Sequence, residues 1–129
     1  MLRIAKIPLA ACAIALSGCG SLGDTDAIRD AGELAVACRH DEALVLLDRA
    51  QQGGGLSSYI AEIEKVVFLR DAGRYREAEE LLAQRNVRVE ASAEDISEAE
   101  SAVEDSLAEL RESREKKTGR LTCPGIESA

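Results

Sequence analysis

The chain opens on an unbroken apolar run, Ile7 to Leu16 (IPLAACAIAL), and is never so continuously apolar again. From residue 24 onward apolar positions return at spacings of three and four, the pattern of helices that bury one face. Ile28, Ala31, Leu34, Ala35 and Cys38 mark a first helix, which Asp24 or Thr25 can cap. Asp41 opens a second, with Ala43, Leu44, Leu47 and Ala50 inward. Gly53-Gly54-Gly55 ends it, because glycine takes left-handed backbone angles without strain and is costly inside a helix. Ser57 or Ser58 caps a third, with Ile60, Ile63, Val67, Phe68 and Leu69 as its buried candidates, and Gly73 breaks it. Tyr75 to about Gln84 forms a fourth, with Ala78, Leu81 and Leu82 inward. Ser92-Ala93-Glu94-Asp95 reads as a capping-box start, with Asp95 in the usual Glu position. The long helix that follows runs to about Lys117, where Thr118-Gly119 stops it. Its inward stripe of Ile96, Ala99, Val103, Leu107 and Leu110 is narrow and near-heptad. The whole pattern predicts an all-α fold: helical hairpins over residues 24–88, then an acidic long helix and tail over 89–129.

The second and fourth helices also resemble each other. Cys38-Arg39-His40-Asp41-Glu42-Ala43 aligns with Gly73-Arg74-Tyr75-Arg76-Glu77-Ala78, and Leu46-Leu47 with Leu81-Leu82, at a constant offset of 35 residues. Two helices per period near that length signal a helical repeat array. The segment from Gly73 to Leu82 resembles the inter-helix turn and second helix of a tetratricopeptide repeat. In that family a glycine makes the turn, an aromatic fills the wedge between the helices and a small residue lets the backbones approach; those roles fall here to Gly73, Tyr75 and Ala78. In the first unit Cys38, His40 and Ala43 stand in these places. The resemblance covers roughly Asp24 to Arg88 and is poor over the first helices: Val66 replaces the usual small residue, and the early large aromatic is absent. Two units are fewer than the three or so such arrays need, so the long helix is expected to cap the second unit. The resemblance implies a groove lined by the first helices, with Arg29, Glu33, Glu62, Lys65 and Arg70 as exposed partner-binding candidates.

The opening run is preceded by Arg3 and Lys6 with no acid. About ten apolar residues are too few to span a bilayer of roughly 30 Å, but they suit the core of an export signal. Leu16-Ser17-Gly18-Cys19 resembles the lipobox of bacterial lipoproteins. That resemblance implies a diacylglycerol on the Cys19 thiol, cleavage between Gly18 and Cys19 that removes residues 1–18 together with Cys12, and acylation of the new amine by a fatty acid such as palmitate. Residues 19–23 then read as a lipidated tether. Gly20 stands where inner-membrane retention in enteric bacteria commonly has Asp, so in a two-membrane cell the lipoprotein is expected at the outer membrane, facing the periplasm. Each buried CH₂ contributes roughly 0.8 kcal/mol to such an anchor.

Charge narrows the partners. The chain carries −8, and removing Arg3 and Lys6 takes this to −10. Such a body is repelled by nucleic acid. With aromatics at 2% and no Trp, base stacking has little to work with, so no nucleic-acid partner is expected.

Chemistry is sparse. Cys38 and Cys123 are the thiols left after cleavage besides the lipidated Cys19, and in an oxidising compartment they are most simply read as a disulfide. Closing the loop of about 85 residues between them is worth roughly 4.5 kcal/mol in the chain-entropy picture. A redox or metal role is the rival, though neither cysteine lies in a C-x-x-C pair and the single His40 supplies no zinc ligand set. His40 is read as a packing residue rather than a general base, because no pattern supplies a nucleophile and an orienting acid. The glycine triplet lacks the Lys-Ser/Thr of a phosphate-binding loop. No catalytic residue, metal or cofactor is expected. The sequence points to an anchored, non-catalytic adaptor or assembly factor that contacts envelope proteins. A self-associating structural lipoprotein, dimerising through the Ser92–Lys117 helix, and a small anchored inhibitor or immunity protein are the alternatives.

Overall fold

A computed structural model describes residues 19–126, with the backbone alone for 19–24. The export signal, with Gly18 and Cys12, lies outside the described residues, as does the side chain of Cys19. The described chain is five helices: α1 (Cys19–Val36), α2 (His40–Gln52), α3 (Gly55–Asp71), α4 (Tyr75–Arg88) and α5 (Ala93–Thr118). Among the described residues there is no strand, and no helix is long and apolar enough to cross a membrane. The protein is all-α: two helical hairpins and a long C-terminal helix laid over them.

Each hairpin closes on the same backbone device. Gly73 takes φ 75°, and the N–H groups of Gly73 and Arg74 return to the carbonyls of Arg70 and Leu69 at 2.9 and 2.8 Å. Thirty-five residues earlier Cys38 takes φ 63°, and Cys38 and Arg39 bond the carbonyls of Ala35 and Leu34, both at 2.9 Å. These paired bonds satisfy the carbonyls that a helix end leaves open. Cys38 holds a left-handed conformation that costs a residue with a Cβ roughly 1–2 kcal/mol relative to glycine. After each turn an arginine pairs with the glutamate three residues on: Arg39 with Glu42, and Arg74 with Glu77 at 2.7 Å. Ala43 and Ala78, the small residues of the second helices, are fully buried, so the two backbones of each hairpin lie close.

The core runs through Ala31, Ala35, Leu47, Val66, Val67, Phe68, Ala78, Leu82, Ala99, Val103 and Leu110. The α5 stripe therefore packs within the chain, chiefly on α3 and also on α1. Its capping box forms as expected, with the Ser92 hydroxyl accepting from the Asp95 N–H at 3.1 Å and the Asp95 carboxylate accepting from the Ser92 N–H at 2.9 Å. Gly119, at φ 76°, stops the helix.

Several expectations are corrected. The tether expected over residues 19–23 is part of α1; Gly20 and Gly23 cost about 1 kcal/mol each in a helix, too little to end one whose later turns are packed. The third helix starts at Gly55, two or three residues before the expected serine caps, because Gly54 and Gly55, at φ 73° and 68°, together complete the turn. The fourth runs four residues past Gln84, to Arg88. Tyr75 does not fill the wedge between α3 and α4: it is 40% exposed. Ile60 and Ile96, expected inside, are also exposed: Ile96 precedes the core on α5, and on α3 Ala61, beside Ile60, takes the inward position.

Candidate functional site

The densest polar cluster lies at the end of the bundle where α1, α3 and α5 finish and α2 begins. Asp71 closes α3, His40 opens α2, and Arg114 sits one turn beyond Leu110 on the buried stripe of α5. Arg114 is 1% exposed, so its charge must be met inside the protein. Its Nη1 donates to Asp71 Oδ1 at 2.9 Å and to the Leu121 carbonyl at 3.1 Å. Its Nη2 donates to Asp71 Oδ2 and, at 2.8 Å, to the Ala35 carbonyl; Nε donates to the Val36 carbonyl at 3.2 Å. Five bonds match the five N–H donors of a guanidinium. One side chain thus joins α5 to the closing carbonyls of α1, to α3 and to the C-terminal tail. A cation at a helix C-terminus is also favoured by the helix dipole.

Asp71 is fully enclosed and takes a further contact from His40, whose Nε2 lies 2.7 Å from Oδ2. Burial pushes the Asp71 carboxyl up, but hydrogen bonds and charge from His40 and Arg114 outweigh it and hold the group below its ordinary value of 3.8. Cys123 closes the cluster. It is joined to Cys38 in a disulfide, with Cα atoms 5.7 Å apart, and its Sγ lies 4.0 Å from His40 Nε2. The covalent link ties the first hairpin turn to the tail, and the Arg114 network ties the end of α1 and the tail to α3 and α5.

This cluster has the ingredients of a catalytic or metal site but is arranged for neither. His40 beside a carboxylate resembles a base with its orienting acid, yet the adjacent sulfur is oxidised and cannot act as a nucleophile. His40, Asp71 and Cys123 offer ligand atoms within 4.8 Å of one another. They do not fit a cation: Cys123 has no thiolate to give, and both Asp71 oxygens already face the Arg114 guanidinium. His40 does pack, as expected, but as a polar bridge to α3 rather than as the counterpart of an aromatic wedge.

The five candidate partner residues separate. Glu62 and Arg70 are buried, correcting the expectation of exposure: Glu62 pairs with Arg88, and Arg70 with Glu79 at 2.6 Å and Glu100 at 2.8 Å. Glu100 belongs to α5, which lies over the face that α1 and α3 share; the groove implied for the first helices is filled from within the chain. Lys65 is half-buried, paired with Asp48 at 2.6 Å, and borders a cleft of about 330 Å³ between α2, α3 and α4. Arg29 and Glu33 remain exposed on α1 and border a second cleft, about 320 Å³, between α1, α3 and α5. Phe68 and Leu110 floor this second cleft, and Glu64, Glu109 and Lys117 share its walls. Burial, with Glu109 nearby, pushes the Glu64 carboxyl above its ordinary value.

Sequence reasoning missed Asp71 and Arg114, the residues on which the cluster turns. Spacing carried a signal for both: Arg114 continues the Val103–Leu110 stripe by one turn, and Asp71 continues Ile63–Val67 in the same way. Compared with protein-family models, with characterised proteins and with solved structures, the chain matches none.

Proposed function

We propose that the protein is a lipid-anchored, non-catalytic adaptor, held by Cys19 at the outer membrane and facing the periplasm, that docks a segment of an envelope protein. The observation that carries this reading is the Cys38–Cys123 disulfide. A disulfide that pins a small domain belongs to an exported, oxidising compartment, which agrees with the export signal and lipobox resemblance of the N-terminus. The buried polar groups support the non-catalytic half of the proposal, because Asp71, His40 and Arg114 satisfy one another and leave no free nucleophile beside them.

Docking is assigned to the cleft between α1, α3 and α5. Its apolar floor and mixed rim of Arg29, Glu33, Glu109 and Lys117 suit a short segment that carries both an apolar side chain and charge. This places recognition on α1, as the tetratricopeptide resemblance implies, but beside α5 instead of in an open groove. Photo-crosslinking residues placed at Arg29 and at Glu33 in the acylated protein, in its own cells, are expected to give a discrete adduct with an envelope protein, whereas one at exposed Val45 on α2 gives none. Absence of any adduct from both α1 positions would refute docking at this cleft.

A further inference from the structure

The hairpins fix which end of the bundle is which. Cys38, His40, Asp71, Arg114 and Cys123 meet at one end, so the start of α1, the α2–α3 turn, the end of α4 and the start of α5 lie at the other. Of the nine large hydrophobic side chains exposed among the described residues, six belong to this second end: Leu56, Tyr59 and Ile60 on the first turns of α3, Val87 and Val89 at the close of α4, and Ile96 on the first turn of α5. Leu56 and Val87 are 75% and 79% exposed. Solitary exposed apolar residues need no explanation, but a concentration at one end of a small protein marks a surface that meets something apolar.

We infer that this end is a lipid-contacting face that rests in the headgroup region of the bilayer to which Cys19 is attached. The inference rests on the lipid anchor proposed above. Its physical ground is that α1 begins at Cys19 itself. No flexible spacer separates the lipidation position from the packed body, so an acylated Cys19 delivers this end, and no other, to the bilayer surface. The effective concentration of lipid there is high enough that even weak apolar contacts are made. Tyr59 fits such a level: its ring lies under the Arg85 guanidinium, 5.2 Å from centroid to Cζ, and its hydroxyl accepts from Arg85 Nη2 at 3.3 Å. An apolar ring with a polar tip is the side chain favoured where lipid meets water. The acids Glu90, Glu94 and Asp95 at the same end oppose anionic headgroups, so the favoured surface is zwitterionic.

The chain has no Trp, so single introduced tryptophans report depth without background. Leu56→Trp and Val87→Trp, with Leu121→Trp at the disulfide end as reference, replace exposed side chains and leave the core untouched. Each acylated full-length protein is reconstituted into phosphatidylcholine vesicles with and without brominated acyl chains, and flotation of the vesicles scores anchoring separately. The two tryptophans at the Cys19 end are expected to lose roughly half their emission to the brominated lipid, the quenching due at the shallow depth of an interfacial contact, while Leu121→Trp is unchanged. Protein that floats with all three emissions unchanged overturns the inference and leaves the anchor standing. Protein that does not float overturns both. A blue shift that grows with protein concentration but is blind to bromine assigns the end to a second copy of the chain and also overturns the inference.

Discussion

Replacing Arg114 with alanine is expected to lower the folding free energy by about 3–5 kcal/mol, the range for breaking a buried ion pair and stranding its partner. In a domain of this size that corresponds to a fall in Tm of more than about 12 °C, read by circular dichroism at neutral pH. The loss is large because three costs arrive together: Asp71 keeps its charge in an enclosed site, the carbonyls of Ala35 and Val36 lose their donor, and the tail loses its bond at Leu121. Lysine is a poor substitute, since three donors on one nitrogen cannot reach positions that a planar fork spans. The network also sets an acid limit. Because the Asp71 carboxyl is held below its ordinary value, its contribution is fully present above pH 3.8 and is lost as pH falls through the lower, native value. The wild-type Tm should therefore drop along this limb, and Arg114→Ala, having lost one of the two groups that with His40 cause the depression, should show a shallower drop. Equal acid dependence in the two proteins would contradict the assignment of Asp71 to Arg114.

Removing the disulfide is expected to be of comparable size. The bridge spans 85 residues and joins the first hairpin turn to the tail. Constraining a loop of that length in the unfolded chain is worth up to about 4.5 kcal/mol, and the paired change Cys38→Ser and Cys123→Ser should approach that loss without leaving a stray thiol. Part of it returns if Cys38 is replaced by glycine instead, because left-handed φ at position 38 no longer opposes a Cβ. Chemical denaturation of the two double variants measures both effects. A bridge-free protein as stable as the wild type would mean that the Arg114 network alone holds the tail. The two devices are neighbours, with Cys123 Sγ 4.0 Å from His40, so their losses should not simply add.

What the sequence announced and what it withheld divide along physical lines. Helix interiors were legible, because burial of one face repeats every three or four residues: Ala31, Ala43, Leu47, Val67, Ala78 and Val103 are all in the core. The turns were legible because they use a left-handed residue, glycine at Gly73 and Gly119. Cys38, left-handed without being glycine, was legible only through its 35-residue register with Gly73. The cysteine pair followed from compartment chemistry rather than from geometry. The buried charges were legible by position only: spacing sets Arg114 and Asp71 on the inward stripes, but their charge makes them look like solvated helix ends until tertiary packing brings them together. The same blind spot misplaced Glu62 and Arg70, whose partners Arg88 and Glu100 stand 26 and 30 residues away in sequence. Ile60 and Ile96 erred in the opposite direction: periodicity assigns them to a core, but on α5 the core begins only at Ala99, and on α3 Ala61 rather than Ile60 faces inward.

The proposed adaptor is a disulfide-pinned helical body carried on a lipid at Cys19. The most direct measurement is the intact, unreduced mass of the protein extracted from the membranes of its own cells. The expected mass is that of a chain beginning at Cys19, increased by a diacylglycerol on its thiol and an acyl group on its amine, and carrying the hydrogen deficit of one disulfide. A mass that begins at Met1, or an unmodified Cys19 with both remaining thiols free, contradicts it.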